Sequence, residues 1–287
     1  ESSREYLMPP RATRETMHYT GPVTGRVWQL NGQGQENHPV TLMPSPKGLY
    51  GTGAKVHNRE IPRSRTRKRV AVVPEPLNLE LVFDIKAETP ALTRRVFEQF
   101  KEDWPLTGNR HGTLPPTGLL AFNSGRSEWK YLDVYRTERF ENMLGKSPMA
   151  LGKAKLMVVA SAEDPFPYGD YDPLEVSVSS SNMAEGVLRN DGQVPTSPTV
   201  HWSGPAATLR FSGDVDFTAQ VNGEALFDLS PNELTITESR GVRPIITSWH
   251  QQPWLTVPAG GTANLNLSSN RAGKFTVHMP PRWEELY

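Results

Sequence analysis

Seven histidines, His18, His38, His57, His111, His201, His250 and His278, are the side chains best suited to metal ligation or proton transfer near neutral pH. None stands two to four residues from another, so local geometry cannot bring a pair to one metal. The chain has no cysteine, which excludes disulfides, thiolate metal sites and cysteine nucleophiles. Glu163 and Asp164 are adjacent, but neighbouring side chains on a strand point to opposite faces. They make no acid/base pair without a partner from another element. The fragments nearest to a G-x-S-x-G nucleophile elbow, Asn123-Ser124-Gly125 and Ser203-Gly204, read as turns. Gly48 to Lys55 (GLYGTGAK) is rich in glycine. A phosphate cradle needs a helix after such a loop, opened by Lys-Ser or Lys-Thr. Val56-His57-Asn58 follows instead, with no helical pattern, so a mobile loop is expected. No catalytic, metal-binding or cofactor-binding residue emerges, and the chain reads as a non-enzyme.

Two patterns point to binding instead. In Ile61 to Val70 (IPRSRTRKRV), Arg63, Arg65, Arg67 and Arg69 occupy every second position. On an extended chain their guanidinium groups leave one face at about 6.5–7 Å intervals, with Ser64, Thr66 and Lys68 on the other. Such a strand is either a charged edge that resists edge-to-edge pairing or a contact with an acidic surface of a partner or neighbouring subunit. Sequence-specific nucleic-acid binding is disfavoured, because no recognition helix or stacking aromatics accompany the cluster. The whole chain balances 31 Lys and Arg against 31 Asp and Glu. Bulk charge therefore gives no reason to expect nucleic acid, an acidic substrate or an anionic membrane. The second pattern is Trp202, Trp249, Trp254 and Trp283. Exposed, they could stack on sugar rings; otherwise they serve a core or a subunit contact.

The elements that carry these residues read as mainly β. A length of 287 residues suggests about two domains. The 26 Pro and 23 Gly suit short strands joined by many turns. No apolar run approaches the roughly 18 residues of a membrane span. The start, ESSREYLMPP, lacks both a signal-peptide layout and an initiator Met, so further residues are expected upstream. Residues 1–20 are polar and aperiodic and read as an arm. Residues 21–166 form the first domain. Gly21-Pro22 opens its first segment, with Val23, Val27, Trp28 and Leu30 as apolar content, and a short strand follows near Val40–Met43. Leu77 to Ile85 alternates strictly, predicting a strand. Thr89 at N-cap and Pro90 at the first position start one helix, with Leu92, Val96, Phe97, Phe100 and Trp104 as its stripe. It is expected to cover one face of the sheet. Further strands are predicted at Leu119–Phe122, Trp129–Tyr135 and Ala154–Ala162.

Residues 167–186 read as a connector and 187–287 as a second domain, joined through the corner at Asn190, Gly192, Pro195 and Pro198. Asn190-Asp191-Gly192 is turn chemistry, and the two prolines hold the chain extended. Beyond it Leu209, Phe211, Val215, Phe217, Ala219 and Val221 share one parity, and Asn222-Gly223 signals a type I′ hairpin. Leu234 and Ile236, then Ala263, Leu265 and Leu267, then Phe275, Val277 and Met279 continue the alternation. Half-apolar strands at about ten-residue spacing predict an antiparallel β-sandwich.

Three stretches carry a family likeness. They are Ala160-Ser161-Ala162-Glu163-Asp164-Pro165-Phe166, the corner Asn190 to Pro198 (NDGQVPTSP), and the end, with Trp254, Pro258-Ala259-Gly260-Gly261 and Pro281-Arg282-Trp283. Together they resemble the distal tail proteins of long-tailed, non-contractile bacteriophages, especially those of actinobacterial phages described as minor tail proteins. The layout covers nearly the whole chain. The N-terminal arm, the Gly48 to Gly53 loop and the arginine strand depart from the family pattern. The resemblance implies a structural virion protein: a homo-hexameric baseplate ring at the distal end of the tail, assembled in the host cytoplasm. Its partners would be the tail tube protein and the tail-tip hub or tail-associated protein, with the tape measure protein and tail fibres as further neighbours. It also implies a ring-building N-terminal domain and an outward, galectin-like sandwich, with no cofactor and no membrane insertion. Set among ring subunits, Arg63, Arg65, Arg67, Lys68 and Arg69 are expected to face protein, and the corner to fix the angle between domains. A carbohydrate-binding module for host cell-wall glycans is the alternative, and a cell-wall hydrolase a more distant one.

Overall fold

The computed structural model describes residues 15–32, 35, 38–44, 46–49, 54–60, 67–106, 116–125, 129–180, 182–231, 233–245 and 252–285, apart from the side chains of 54–60, 67–73 and 148–149. The chain divides into two compact units, residues 1–167 with 284–287, and residues 168–283.

The first unit contains β1 (Thr16–Thr20), β2 (Val27–Asn31), β3 (Val40–Leu42), β4 (Ala54–Glu60), β5 (Arg67–Pro74) and β6 (Leu77–Ile85). There follow α1 (Pro90–Glu102), β7 (Gly118–Asn123), β8 (Lys130–Arg136), β9 (Glu141–Asn142), the short α2 (Pro148–Leu151) and β10 (Ala154–Ala162). Its main sheet runs β2-β1-β7-β8-β10-β6-β3, with β9 added on β10. The end strands β2 and β3 also lie against each other, so the sheet curls almost into a barrel. The spine is the β6/β10 pair, antiparallel and unbroken from Leu77↔Ala162 to Ile85↔Ala154. The alternating apolar set of β6 is buried, and so are Ala154, Leu156, Val158, Ala160 and Ala162 across from it. One register slip would turn this whole set to solvent, which is why alternation fixes the pairing.

Helix α1 begins as expected: Thr89 Oγ1 accepts the Leu92 N–H at 3.2 Å, and Pro90 takes the first turn, where no donor is needed. Val96, Phe97 and Phe100 face inward. Phe100 meets Phe83 and Trp28 edge-on at 4.9 and 5.2 Å. Leu92, expected in the stripe, is 40% exposed, and Thr93 is buried in its place. Thr93 can be buried because its hydroxyl donates to Thr89 O (3.0 Å) and accepts from Ala87 N–H (2.9 Å). Trp104 stacks on Tyr19 at 3.9 Å just past the helix. Val23 and Val27 are exposed, leaving Trp28 and Leu30 as the buried part of the first segment.

Residues 16–20, expected within the arm, form β1 between β2 and β7. Met17 and Tyr19 supply its buried parity, which the polar neighbours hide in the sequence. Ala54 and Lys55, expected at the end of a loop, open β4; residues 50–53 lie outside the described residues.

The second unit contains β11 (Tyr168–Gly169), β12 (Leu174–Val178), β13 (Met183–Arg189), β14 (Thr199–Ser203), β15 (Ala207–Gly213) and β16 (Phe217–Val221). After these come β17 (Ala225–Asp228), β18 (Thr235–Glu238), β19 (Gly241–Pro244), β20 (Thr262–Ser269) and β21 (Gly273–His278). Two antiparallel sheets, β12-β21-β14-β17-β18-β19 and β13-β20-β15-β16, enclose one core. Trp202, Phe211, Phe217, Phe227 and Phe275 fill it. The expected connector 167–186 is therefore largely sandwich: β12 pairs with β21, and β13 pairs with β20 from Met183 onward. The contact division falls after Pro167 rather than at 187.

Asn222-Gly223 does not make a hairpin. β16 pairs with β15 in one sheet, while β17 pairs with β14 and β18 in the other. A type I′ turn needs φ > 0 at both central residues. Among the described non-glycine residues only Leu234 has positive φ, so Asn222 is not left-handed. Val221, Ala225 and Phe227 stay buried through the turn, which carries the chain across the sandwich edge.

Candidate assembly site

The described part of the arginine run belongs to a two-stranded ribbon of its own, β4 with β5. The register opposes Glu60 to Arg67, Arg59 to Lys68 and Asn58 to Arg69. It then shifts before His57↔Ala71, leaving Val70 as the extra residue of a bulge. Seven residues of β4 span about 23 Å at roughly 3.3 Å each. Pro74 ends the ribbon two residues before β6, so it is tied directly to the spine of the first unit. Among the described residues no third strand pairs with either edge of the ribbon. Arg63 and Arg65 lie outside the described residues. The structure thus brings Arg67, Lys68 and Arg69 onto one end of the two-stranded ribbon.

The corner lies elsewhere than expected. Asn190, Gly192, Pro195 and Pro198 sit between β13 and β14, which belong to the two sheets of one sandwich. The corner is inter-sheet, not inter-domain. Buried Asn190 holds it: the side-chain amide donates to Val194 O (2.8 Å) and Val257 O (3.1 Å) and accepts from Gly192 N–H (2.9 Å). A Cβ on Gly192 would stand 2.4 Å from both Arg282 N and Arg282 O, so only glycine fits. Pro195 is exposed, whereas buried Pro198 offers its carbonyl to Leu229 N–H at 3.3 Å.

The residues with chemical potential stay apart. His18 packs on Trp129 at 5.2 Å, and burial, then His38, pushes its pKa down. His278 lies 3.0 Å from the Tyr171 hydroxyl, and His201 is 3.4 Å from Ser203. Among the described residues no three His, Cys, Asp or Glu side chains are grouped to hold a metal. Likewise no described helix is long and apolar enough to cross a membrane. Asp164 caps its own turn by accepting Phe166 N–H at 3.2 Å. Of the four tryptophans, Trp202 is core, Trp283 is partly buried, Trp249 lies outside the described residues and Trp254 is 43% exposed. Trp254 borders a cavity of about 640 Å³ with Asp214, Gln252, Thr256 and Thr262. Sequence alone groups the tryptophans by composition; which one the fold leaves outside depends on pairings between distant segments.

No protein-family model matches the sequence, and no curated protein does. Solved structures do. The chain is similar to the Dit protein of phage SPP1, described as a paradigm of the hub adsorption apparatus in phages infecting Gram-positive hosts. Identity is 15%, coverage 93% of this chain and 98% of that one, and TM-score 0.50. Two structures of the phage P2 baseplate in its activated conformation, with Ca and with Sr, match at 11% and 12% identity. Each covers 92% of this chain and 98% of its own, with TM-scores of 0.48 and 0.47. The chain therefore has the β-rich fold of the SPP1 protein, and coverage this complete takes in both units.

Proposed function

We propose that this protein is a structural component of the distal end of a phage tail, acting by assembly rather than by catalysis. The observation that carries the reading is the shared fold, which spans nearly the full length of both chains. In the finer form of the proposal six copies close into a ring through their first units. The ring connects the tail tube to the tail-tip hub and fibres, and the sandwich points outward. Mature protein resides in the virion, after assembly in the host cytoplasm.

The β4–β5 ribbon supports a role in subunit or ring–ring contact. Among the described residues no strand pairs with its edges, and a strand added from a neighbour would satisfy them. Six copies of the cluster Arg63, Arg65, Arg67, Lys68 and Arg69 would gather about thirty positive charges, and lining the DNA path with them would hold the genome back, since affinity climbs with each neutralised phosphate. The ribbon therefore faces protein. Sedimentation equilibrium and negative-stain microscopy of the purified chain test the reading. A particle of about six times 32.0 kDa, seen as rings, is expected. A chain that stays monomeric alone and with tail tube protein would overturn it.

A further inference from the structure

We infer that the cleft around Trp254 is a carbohydrate site that takes a neutral pyranose ring. The inference does not depend on the ring, because every residue it uses belongs to the second unit.

The exposure of Trp254 is built in. Pro253, Leu255 and Val257 are buried while Gln252, Trp254 and Thr256 face out, so the segment alternates like a strand. Backbone bonds pin it on both sides of the indole. Asp216 N–H donates to Gln252 O (2.9 Å), Leu255 N–H to Leu229 O (3.0 Å) and Val257 N–H to Thr196 O (2.8 Å). Trp254 is 43% exposed, so a large part of the indole is open to a ligand.

The wall beside it is equally fixed. Gly213, at φ +104, turns the chain after β15, and a Cβ there would stand 2.5 Å from Asn264 O. Asp214 then exchanges two bonds with Asn264: its N–H donates to Asn264 O (2.9 Å), and its Oδ2 accepts Asn264 N–H (2.7 Å). One carboxylate oxygen thus sets the side chain, and Oδ1 has no partner among the described residues. Gln252, Thr256 and Thr262 add an amide and two hydroxyls, and about 640 Å³ of open space lies between.

This combination selects a ligand class. One aromatic face with a ring of hydrogen-bonding groups matches the apolar C–H face and the hydroxyl rim of a pyranose. Sugar hydroxyls would donate to Asp214 Oδ1, a charge-assisted bond. Among the described residues no Lys or Arg lines the cleft, so phosphate or carboxylate on a ligand would be repelled by Asp214. A lipid or peptide anchor needs apolar walls, and a quaternary ammonium is best held by several aromatic faces rather than one.

The test uses the full chain and a panel of D-glucose, D-galactose, D-mannose, L-rhamnose, N-acetylglucosamine and their methyl glycosides. Saturation-transfer NMR and tryptophan fluorescence titrations read binding. At least one sugar is expected to saturate with a Kd of about 0.1–10 mM. Trp254→Ala should weaken it about tenfold or more, and Trp254→Phe less. Asp214→Asn keeps an acceptor for Asn264 N–H, so it should lower affinity while leaving the melting temperature unchanged. No saturable binding up to about 100 mM, or binding unmoved by Trp254→Ala, would overturn the inference. So would choline chloride binding more tightly than every sugar. A changed oligomeric mass in Trp254→Ala would mark the indole as a subunit contact, which also overturns it.

Discussion

The carboxylate of Asp103 accepts the indole N–H of Trp28 at 2.7 Å, joining the C-cap of α1 to β2 across 75 residues of sequence. Its other oxygen accepts the Thr24 N–H (3.1 Å) and hydroxyl (2.8 Å), and the Asp103 backbone carbonyl accepts the Tyr19 hydroxyl at 2.6 Å. Asp103 is fully buried with these donors around it. Burial, then the Asp103 charge, pushes the Tyr19 hydroxyl pKa far up, so Tyr19 remains a donor throughout the accessible pH range. The β1–β2 turn is thereby locked to the helix end that closes the core.

Removing that carboxylate should loosen the first unit selectively. Asp103→Ala strands the buried Trp28 N–H and takes away charged hydrogen bonds, for an expected loss of about 2–4 kcal/mol. Asp103→Asn keeps one acceptor and should cost about half as much. Urea unfolding followed by near-ultraviolet circular dichroism measures both. A loss below about 0.5 kcal/mol for the alanine variant would mean that water replaces the carboxylate.

In the sandwich, Phe217 stacks on its cross-strand partner Phe211 at 4.3 Å, and both are fully buried. Phe217→Ala should cost about 3–5 kcal/mol, from lost burial plus a cavity that close-packed neighbours only partly fill. Equilibrium denaturation of the full chain reads it. A cost below about 1 kcal/mol would contradict the observed packing.

Local alternation revealed β6 because the strand has one buried and one wetter face, an apolar run of strand length revealed β10, and Thr89-Pro90 revealed the start of α1 because capping is chemistry of adjacent residues. What the sequence concealed was decided at long range. Asn222-Gly223 has hairpin composition, yet Phe217 and Phe227 must line facing sheets, and that requirement sends the chain across the edge. Met17 and Tyr19 are buried only because β7 arrives from a hundred residues later. Asp103 carries no local mark, and Trp254 is told apart from the other tryptophans only by the fold: one is satisfied, and the other pinned outside, by segments remote in sequence.

Glu238 stabilises that same crossing in a pH-dependent way. Its carboxylate accepts the Asn222 N–H at 2.7 Å and the Arg243 Nε–H at 3.0 Å. The Asn222 bond first, then Arg243, lowers its pKa below the ordinary 4.5 against the opposing effect of burial. The native state then binds fewer protons than the unfolded state as pH falls through that value. Its contribution is therefore complete above about pH 5 and lost as pH drops through the lowered native pKa. Glu238→Gln should flatten the stability–pH curve below about pH 5, as melting scans between pH 3 and 7 would show. An unchanged acid slope would mean that the Asn222 contact adds no stability.

Charge reversal on the ribbon separates assembly from folding. Because β4 and β5 form their own two-stranded sheet, Arg65→Glu with Arg67→Glu should leave both cores intact while preventing ring formation. The register sets Arg67 opposite Glu60, so the reversal also places like charges across the ribbon, a local cost of about 0.2–1 kcal/mol. Adding Glu60→Arg restores an opposite-charge pair in the register without restoring the arginines at 65 and 67. If the arginines face an acidic protein surface, the triple variant should melt like wild type and still sediment as a monomer. If the triple variant forms rings, the cluster is only a charged edge that keeps the ribbon from pairing out of place, and assembly does not depend on these arginines.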